Sequence, residues 1–401
     1  MTSAAATLLP GEIAHAPPPL SAEGSLTANR LREWLISDGA RGGDPGLLLA
    51  GIAERLVEAG VPIDRMMSAM QASHAEYSGV GGIWEPGRGF EERKLAYDRD
   101  WVYRASPFAH VKATGRWLEL RIGETPDDLF GIIPELKQAG ITHYICLPLV
   151  FASDSRNGLT FATRRAEGFA PQHVALLRAL LPTLSVVLDL RVTQRIFDHT
   201  LRFYVGDEPH RQIMAGTVRR GQVSRLRSAI LVADMRGYTG RTYGLEPEEV
   251  VELLNAFFDC LVPPIEKAGG EVLKFMGDGL LATFSDASGD GRGCALHALR
   301  AAREALAAVA GLDGFVEAGI ALHYGEAAYG NVGSGQRLDF TAVGRDVNVA
   351  SRLARLNKTL GEPLLVSRAF ASRAGIDALP LGAFEADGLP EPLEALRPAQ
   401  A

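Results

Sequence analysis

The chain is poor in cysteine, has no long apolar run and carries no excess of positive charge. Its three cysteines among 401 residues, Cys146, Cys260 and Cys294, lie far apart. That spacing excludes a disulfide framework and a closely spaced thiolate metal site, leaving reduced thiols used as small apolar residues. No stretch reaches the roughly 18 uninterrupted apolar residues of a membrane span. The longest candidate, 174–190, is broken by Arg178, Pro182 and Asp189. The first twenty residues, MTSAAATLLPGEIAHAPPPL, lack the basic start and sustained apolar core of a signal peptide. The expectation is a cytoplasmic protein without membrane contact. A formal net charge of −7 argues against a nucleic-acid partner, and any polyphosphate substrate then needs metal ions and local cations to bind.

With 47% hydrophobic and 22% charged residues, the chain has core material for two to three domains. Residues 1–40, rich in Ala, Pro, Ser and Gly, read as a mostly disordered tail. Residues 41–190 read as a domain. LLLAGIAERLVEA predicts a helix stopped by Gly60, and 127–138 a second one. THYICLPLVF and LTFAT predict a strand pair, and 171–198 a helix kinked at Pro182. The glycine-rich 79–89 lacks the context of a phosphate loop and reads as a solvent loop. The histidines His74, His110, His143 and His173 show no metal spacing. From 191 to 226 arginines are frequent, which suggests a connecting helix with a solvated charged face.

From residue 227 to about 398 the patterns sharpen. A strand at 228–233 is followed by a helix from Pro247 with Val250, Leu254, Phe257 and Leu261 on one stripe, expected to end or bend at Pro263-Pro264. A hairpin over 271–284, a helix over 292–310, a strand pair (315–323 and 326–332), a helix over 346–360 and a short strand at 364–366 complete it. The order βαββαβ is that of a ferredoxin-like α/β (α+β) fold, which hosts many functions. Two acids stand out. Asp234 ends the apolar run of SAILVADMRGYT, and Asp278 sits in the turn of EVLKFMGDGLLATF. Carboxylates at strand ends can hold hard divalent cations that serve phosphate chemistry. In the last helix Val349, Leu353, Leu356 and Leu360 form an apolar stripe, with Asn348 and Arg352 projecting together beside it.

VADMRGYT, KFMGDG and DFTAVGRDVNVASR together resemble the catalytic domain of class III nucleotidyl cyclases, the adenylyl and guanylyl cyclases. A diguanylate-forming cyclase would need a different turn from MGDGLL. The resemblance implies that Asp234, Asp278 and the Met235 carbonyl bind two Mg²⁺ or Mn²⁺ ions, while Gly237, Tyr238 and Thr239 offer backbone amides to phosphate oxygens. It implies that Lys274 donates to adenine N1, where guanylyl cyclases usually carry glutamate, and that Thr341 accepts from the adenine amino group, a place commonly held by aspartate. Asn348 would hold the ribose and Arg352 would stabilise charge on the α-phosphate. ATP is therefore the expected substrate, in a homodimer whose sites take the acids from one chain and Lys274, Thr341, Asn348 and Arg352 from the other. A guanylyl cyclase and a nucleotide-binding regulator without turnover are the alternatives. The second is motivated by Asp387, which stands where the family has a phosphate-binding lysine. Residues 41–190 resemble, by element order alone, a GAF-like sensory domain for an unknown small molecule. The segment 191–226 resembles a transducing linker.

Overall fold

The computed structural model describes residues 19–71, 77–96, 100–152, 156–216, 219, 221, 223–286, 289–312, 316–334, 338–386 and 388–399. They form two compact units, Met1–Thr200 and Leu201–Ala401. The first opens with helices α1 (Ala22–Trp34) and α2 (Pro45–Glu58), then strands β1 (Arg65–Gln71), β2 (Tyr77–Glu85) and β3 (Gly89–Ala96). Short helices α3 (Asp100–Arg104) and α4 (Pro107–Thr114), strand β4 (Leu118–Arg121) and helix α5 (Ile133–Gln138) follow. Strands β5 (His143–Val150) and β6 (Arg156–Thr163) and the long helix α6 (Pro171–Val205) close the series.

The six strands make one antiparallel sheet, ordered β3-β2-β1-β6-β5-β4. Helices cover both faces, which is why HYICLPLV shows no polar alternation. Ile145 and Leu147 pack with α1, α2 and α6 on one side. Tyr144 and Cys146 pack with α4 and α5 on the other. Helix α6 is long and apolar enough to cross a membrane by length and composition. Its Leu177, Leu180, Leu184 and Leu188 are buried in the protein core, the pattern of a core helix.

Several expectations change here. The disordered tail does not extend over 22–39: Ser21 caps α1, and Ala28, Leu31 and Leu35 are buried. The solvent loop at 79–89 is instead a hairpin of β2 and β3. Its glycines serve close approach, since a Cβ on Gly81 would lie 2.1 Å from the Ser68 carbonyl oxygen and one on Gly82 2.3 Å from the Phe90 ring. Only Ile133–Gln138 of the 127–138 segment is an α-helix. The arginines of the basic stretch are largely engaged. Buried Arg191 donates to the carbonyls of Gly39 (2.7 Å) and Asp44 (3.0 Å), and Arg195 pairs with Glu92.

The second unit begins with the end of α6 and α7 (Asp207–Met214), so the linker segment is helical only to Met214. Strand β7 (Val223–Met235), helices α8 (Tyr238–Thr242) and α9 (Pro247–Lys267), the hairpin β8 (Glu271–Met276) and β9 (Gly279–Ser285), and helix α10 (Arg292–Ala310) follow. Then come β10 (Ala318–Gly333), β11 (Leu338–Val343), α11 (Arg345–Leu360), β12 (Leu364–Ser367), α12 (Arg368–Ala374), β13 (Ala378–Phe384) and β14 (Leu393–Pro398). The sheet order β13-β14-β12-β10-β7-β9-β8, with β11 on β10, contains the βαββαβ arrangement read from sequence. Alternation along β7 sends Ala229, Leu231 and Ala233 to a core with α9, α10 and α12, and Ile230 and Val232 to one with α11.

Helix α9 continues through Pro263 and Pro264. Each proline forfeits one backbone bond, yet Leu261 and Ile265, both fully buried, hold the last turns against the core. The expected strand pair at 315–332 is a single strand, β10. Gly325 does not break it; a Cβ there would lie 2.2 Å from Asp346 Oδ2, so the glycine lets the start of α11 settle on the strand. Gly81→Ala should destabilise the first unit by about 1–3 kcal/mol, the range for overpacking. Gly123→Ala, which meets nothing within 4 Å, should be nearly neutral. Denaturant unfolding of both variants checks this.

Candidate active site

Asp234 is the penultimate residue of β7, flanked by glycine on both neighbouring strands: Gly279 on β9 and Gly319 on β10. A Cβ on Gly279 would lie 2.5 Å from the Ala233 carbonyl and 3.2 Å from Asp234 Oδ1, so only glycine lets β9 pass this close. The β8–β9 turn uses Gly277 at φ +66 and presents Asp278 beside it. The Met235 amide donates to the Asp278 carbonyl at 3.1 Å, tying the turn to the end of β7.

The two carboxyl groups therefore face each other. Burial, then the charge of Asp278 and a hydrogen bond to it, push Asp234 up to about 6, against the opposing pull of the Met235 amide and Lys358. Such a pair suits divalent cations. No group of three or more His, Cys, Asp and Glu side chains suitable for a metal occurs among the described residues. Mg²⁺ fits two carboxylates, because it keeps several waters and takes substrate phosphates as further ligands. Met235 has its side chain in the core, so only its carbonyl could ligate.

The loop after Asp234 is braced by residues the sequence reading did not single out. The Arg236 amide donates to Glu317 O (2.9 Å), and its guanidinium to the carbonyls of Asn357 (3.2 Å) and Glu362. Buried Asn357 donates to Ile320 O (3.0 Å) and Glu362 O (2.9 Å). A buried asparagine on an otherwise apolar helix face was the available signal. Gly237 takes φ +71, which favours glycine, and leads into Tyr238 and Thr239 at the start of α8.

Helix α11 buries Val349 and Leu353 as expected, with Leu356 and Leu360 packed alongside. Its start is fixed by Asp346, held below the usual carboxylate range first by the neighbouring His323, whose Nε2 lies 3.6 Å from its Oδ1; it also accepts from the Glu326 amide at 2.6 Å. Asn348 precedes Asn357 by nine residues, at about 100° per residue two and a half turns. Asn357 faces the sheet beside Gly319, so Asn348 faces away and is exposed. Half-buried Arg352 lies about 140° from Asn357. Asn348 thus turns away from the sheet that carries Asp234.

Lys274 on β8 forms an ion pair with Asp339 on β11, the strand that carries Thr341. Lys274 is thus brought to the strand of Thr341. Asp387 lies outside the described residues. A surface cavity of about 760 Å³ lined by Arg227, Tyr324, Glu326, Asp346 and Arg373 is a separate feature. It opens about 20 Å along β10 from Gly319.

No family model matches the chain. The chain is 36% identical over 156 residues to an adenylate cyclase of Anabaena cylindrica, covering 37% of this chain and 30% of that protein. It is 32% identical over 265 residues to adenylate cyclase 1 of Rhizobium meliloti, covering 62% of this chain and 38% of that one. The chain thus spans about a third of the length of these relatives. The C-terminal part of the chain is a class III nucleotidyl cyclase catalytic domain. Among solved structures, an adenylyl cyclase, CyaB from P. aeruginosa, is 25% identical to the chain with a TM-score of 0.40, over 45% of this chain and 97% of that one. The assignment rests on the motifs and the sequence relatives. The Rhizobium match, at 62% of the chain, is longer than the cyclase domain and reaches into the first unit.

Because Asp234 titrates higher in the folded cyclase domain than its ordinary 3.8, the folded state holds a proton that the unfolded state has lost in between. Its stabilising contribution is complete below 3.8 and disappears as pH rises through about 6. In EDTA, wild type should therefore lose thermal stability relative to Asp234→Asn between pH 4 and 7. At pH 7.5, Mn²⁺ should raise the midpoint of wild type and leave Asp234→Asn unmoved.

Proposed function

We propose that the chain is an adenylate cyclase that closes ATP into 3′,5′-cyclic AMP and releases pyrophosphate. The observation that carries this reading is the facing pair Asp234 and Asp278, whose mutual repulsion is relieved by cations. Cations held there would neutralise the triphosphate and favour the ionised form of the ribose 3′-hydroxyl. The 3′ oxygen attacks the α-phosphorus in line, the bond from that phosphorus to the bridging oxygen breaks, and the hydroxyl proton passes to solvent. Such chemistry asks the protein for positioning and charge neutralisation more than for a nucleophile. Lys274 would donate to adenine N1, Asn348 would hold the ribose and Arg352 would meet the charge that builds on the α-phosphate.

The exposure of Asn348, on the side of α11 opposite the sheet, supports a homodimer in which each site takes acids from one chain and α11 from the other. The names of the relatives support ATP as substrate, and Lys274 agrees with that choice. The first unit would act as a sensory domain of GAF-like type, tuning the dimer through α6 and answering to a small molecule. Asp387 in place of a phosphate-binding lysine implies a raised KM for ATP.

Purified protein with Mn²⁺ should make cyclic AMP from ATP faster than cyclic GMP from GTP. A preference for GTP favours the guanylate reading, and failure with both favours a binding regulator. Arg352→Ala should lose about 10²–10³ in rate, as for other transition-state donors. Asp234→Ala and Asn348→Ala, each inactive alone, should regain activity when mixed; no recovery in proven heterodimers contradicts the shared site.

A further inference from the structure

We propose that Lys358, in the last turn of α11, is a phosphate-binding residue: the chain that supplies Asp234 and Asp278 also offers this ammonium to the terminal phosphates of the nucleotide. The inference rests on the cyclase reading above and deepens it. Gly319 on β10 is the Cα partner of Asp234, and a Cβ on Gly319 would lie 3.0 Å from Asn357 Cβ. Helix α11 thus ends on the strand position next to the acid, and Lys358 is the residue that follows Asn357. It is exposed and forms no ion pair among the described residues.

The electrostatics agree with that placement. Burial and the charge of Asp278 push Asp234 up, and the charge of Lys358 pulls against them. The ammonium is near enough to act on the acid, and its three donors serve no other described residue. The arginines around this end are used differently. The Arg236 guanidinium donates to the carbonyls of Asn357 (3.2 Å) and Glu362. Arg241 Nε donates to Arg236 O (3.2 Å). Both brace the loop after Asp234, whereas Lys358 keeps a flexible four-carbon stem on the surface.

A triphosphate needs such a cation here. The last carbonyls of a helix carry partial negative charge, and α11 brings that end to Asp234. Divalent cations cancel the carboxylates and part of a triphosphate, so negative charge is left over. A carboxylate such as Asp387 cannot offset it, while a lysine can, as a point charge without strict geometry. A lysine in the last turn also favours the helix itself. That role changes stability and is indifferent to nucleotide, so the two can be told apart.

The test uses the full chain and two readouts: calorimetry of inorganic tripolyphosphate with Mn²⁺ and of cyclic AMP, and KM and kcat for ATP with Mn²⁺. Lys358→Gln removes the charge and keeps a polar side chain. It should weaken tripolyphosphate about tenfold, the size of one charge-assisted hydrogen bond at an open site. The KM for ATP should rise alike, with kcat changed far less. Cyclic AMP, which lacks the terminal phosphates, should bind as it does to wild type, and Lys358→Arg should keep most of the tripolyphosphate affinity. Wild-type affinity for tripolyphosphate in Lys358→Gln, with or without a lowered thermal midpoint, overturns the proposal. Equal weakening of tripolyphosphate and cyclic AMP overturns it too. Wild type that neither binds tripolyphosphate nor turns over ATP would instead sink the cyclase reading itself, a result separable from any behaviour of the Lys358 variants.

Discussion

Two carboxylates pressed together at a strand end are costly unless a cation lies between them, and much of the second unit is arranged to press them. Gly279 on one neighbouring strand lets β9 pass close to Asp234, and Gly319 on the other makes room for Asn357 of α11. The hairpin turn is tied to β7 by a backbone bond, and Arg236 with Asn357 locks the following loop to the end of α11. The energetic tension at Asp234 is thus a property of the fold, held by backbone and buried groups that have no direct part in the chemistry.

The same fold separates the tools of the reaction. Helix α11 spends one face on the sheet, so Asn348 has to serve whatever lies on its outer side. Lys274 is engaged with β11. On the proposed function, a chain whose Asn348 lies on the outer side of α11, turned from the sheet that carries Asp234, is suited to sharing a site with its copy. On that proposal, control of activity would be control of how two chains meet, which would give a preceding domain something to act on.

Much of this was legible in the residues. The βαββαβ order followed from hydrophobic periodicity, and the stripe on α11 from simple counting. The acids declared themselves by ending apolar runs next to glycine. What escaped reading depended on contacts between distant segments. Gly81 and Gly82 look like loop residues until Ser68 and Phe90 are seen to occupy the space of a side chain. Gly325 looks like a turn until Asp346 is found above it. Arg191 looks like surface charge because its partners are backbone carbonyls about 150 residues away, which leave no trace in composition. Pro263 and Pro264 mark helix ends by local rule, and tertiary burial of Ile265 overrode it. Local signals named the chemistry; long-range packing decided the shape that holds it.

The central claim, that Asp234 and Asp278 form one site for divalent cations and a triphosphate, is most directly tested by anomalous scattering. Crystals of the full chain grown with Mn²⁺ and an ATP analogue that cannot cyclise should show two manganese peaks between the two carboxylates, with the phosphates against them. Manganese bound elsewhere, or carboxylates turned apart with no metal between them, would contradict it.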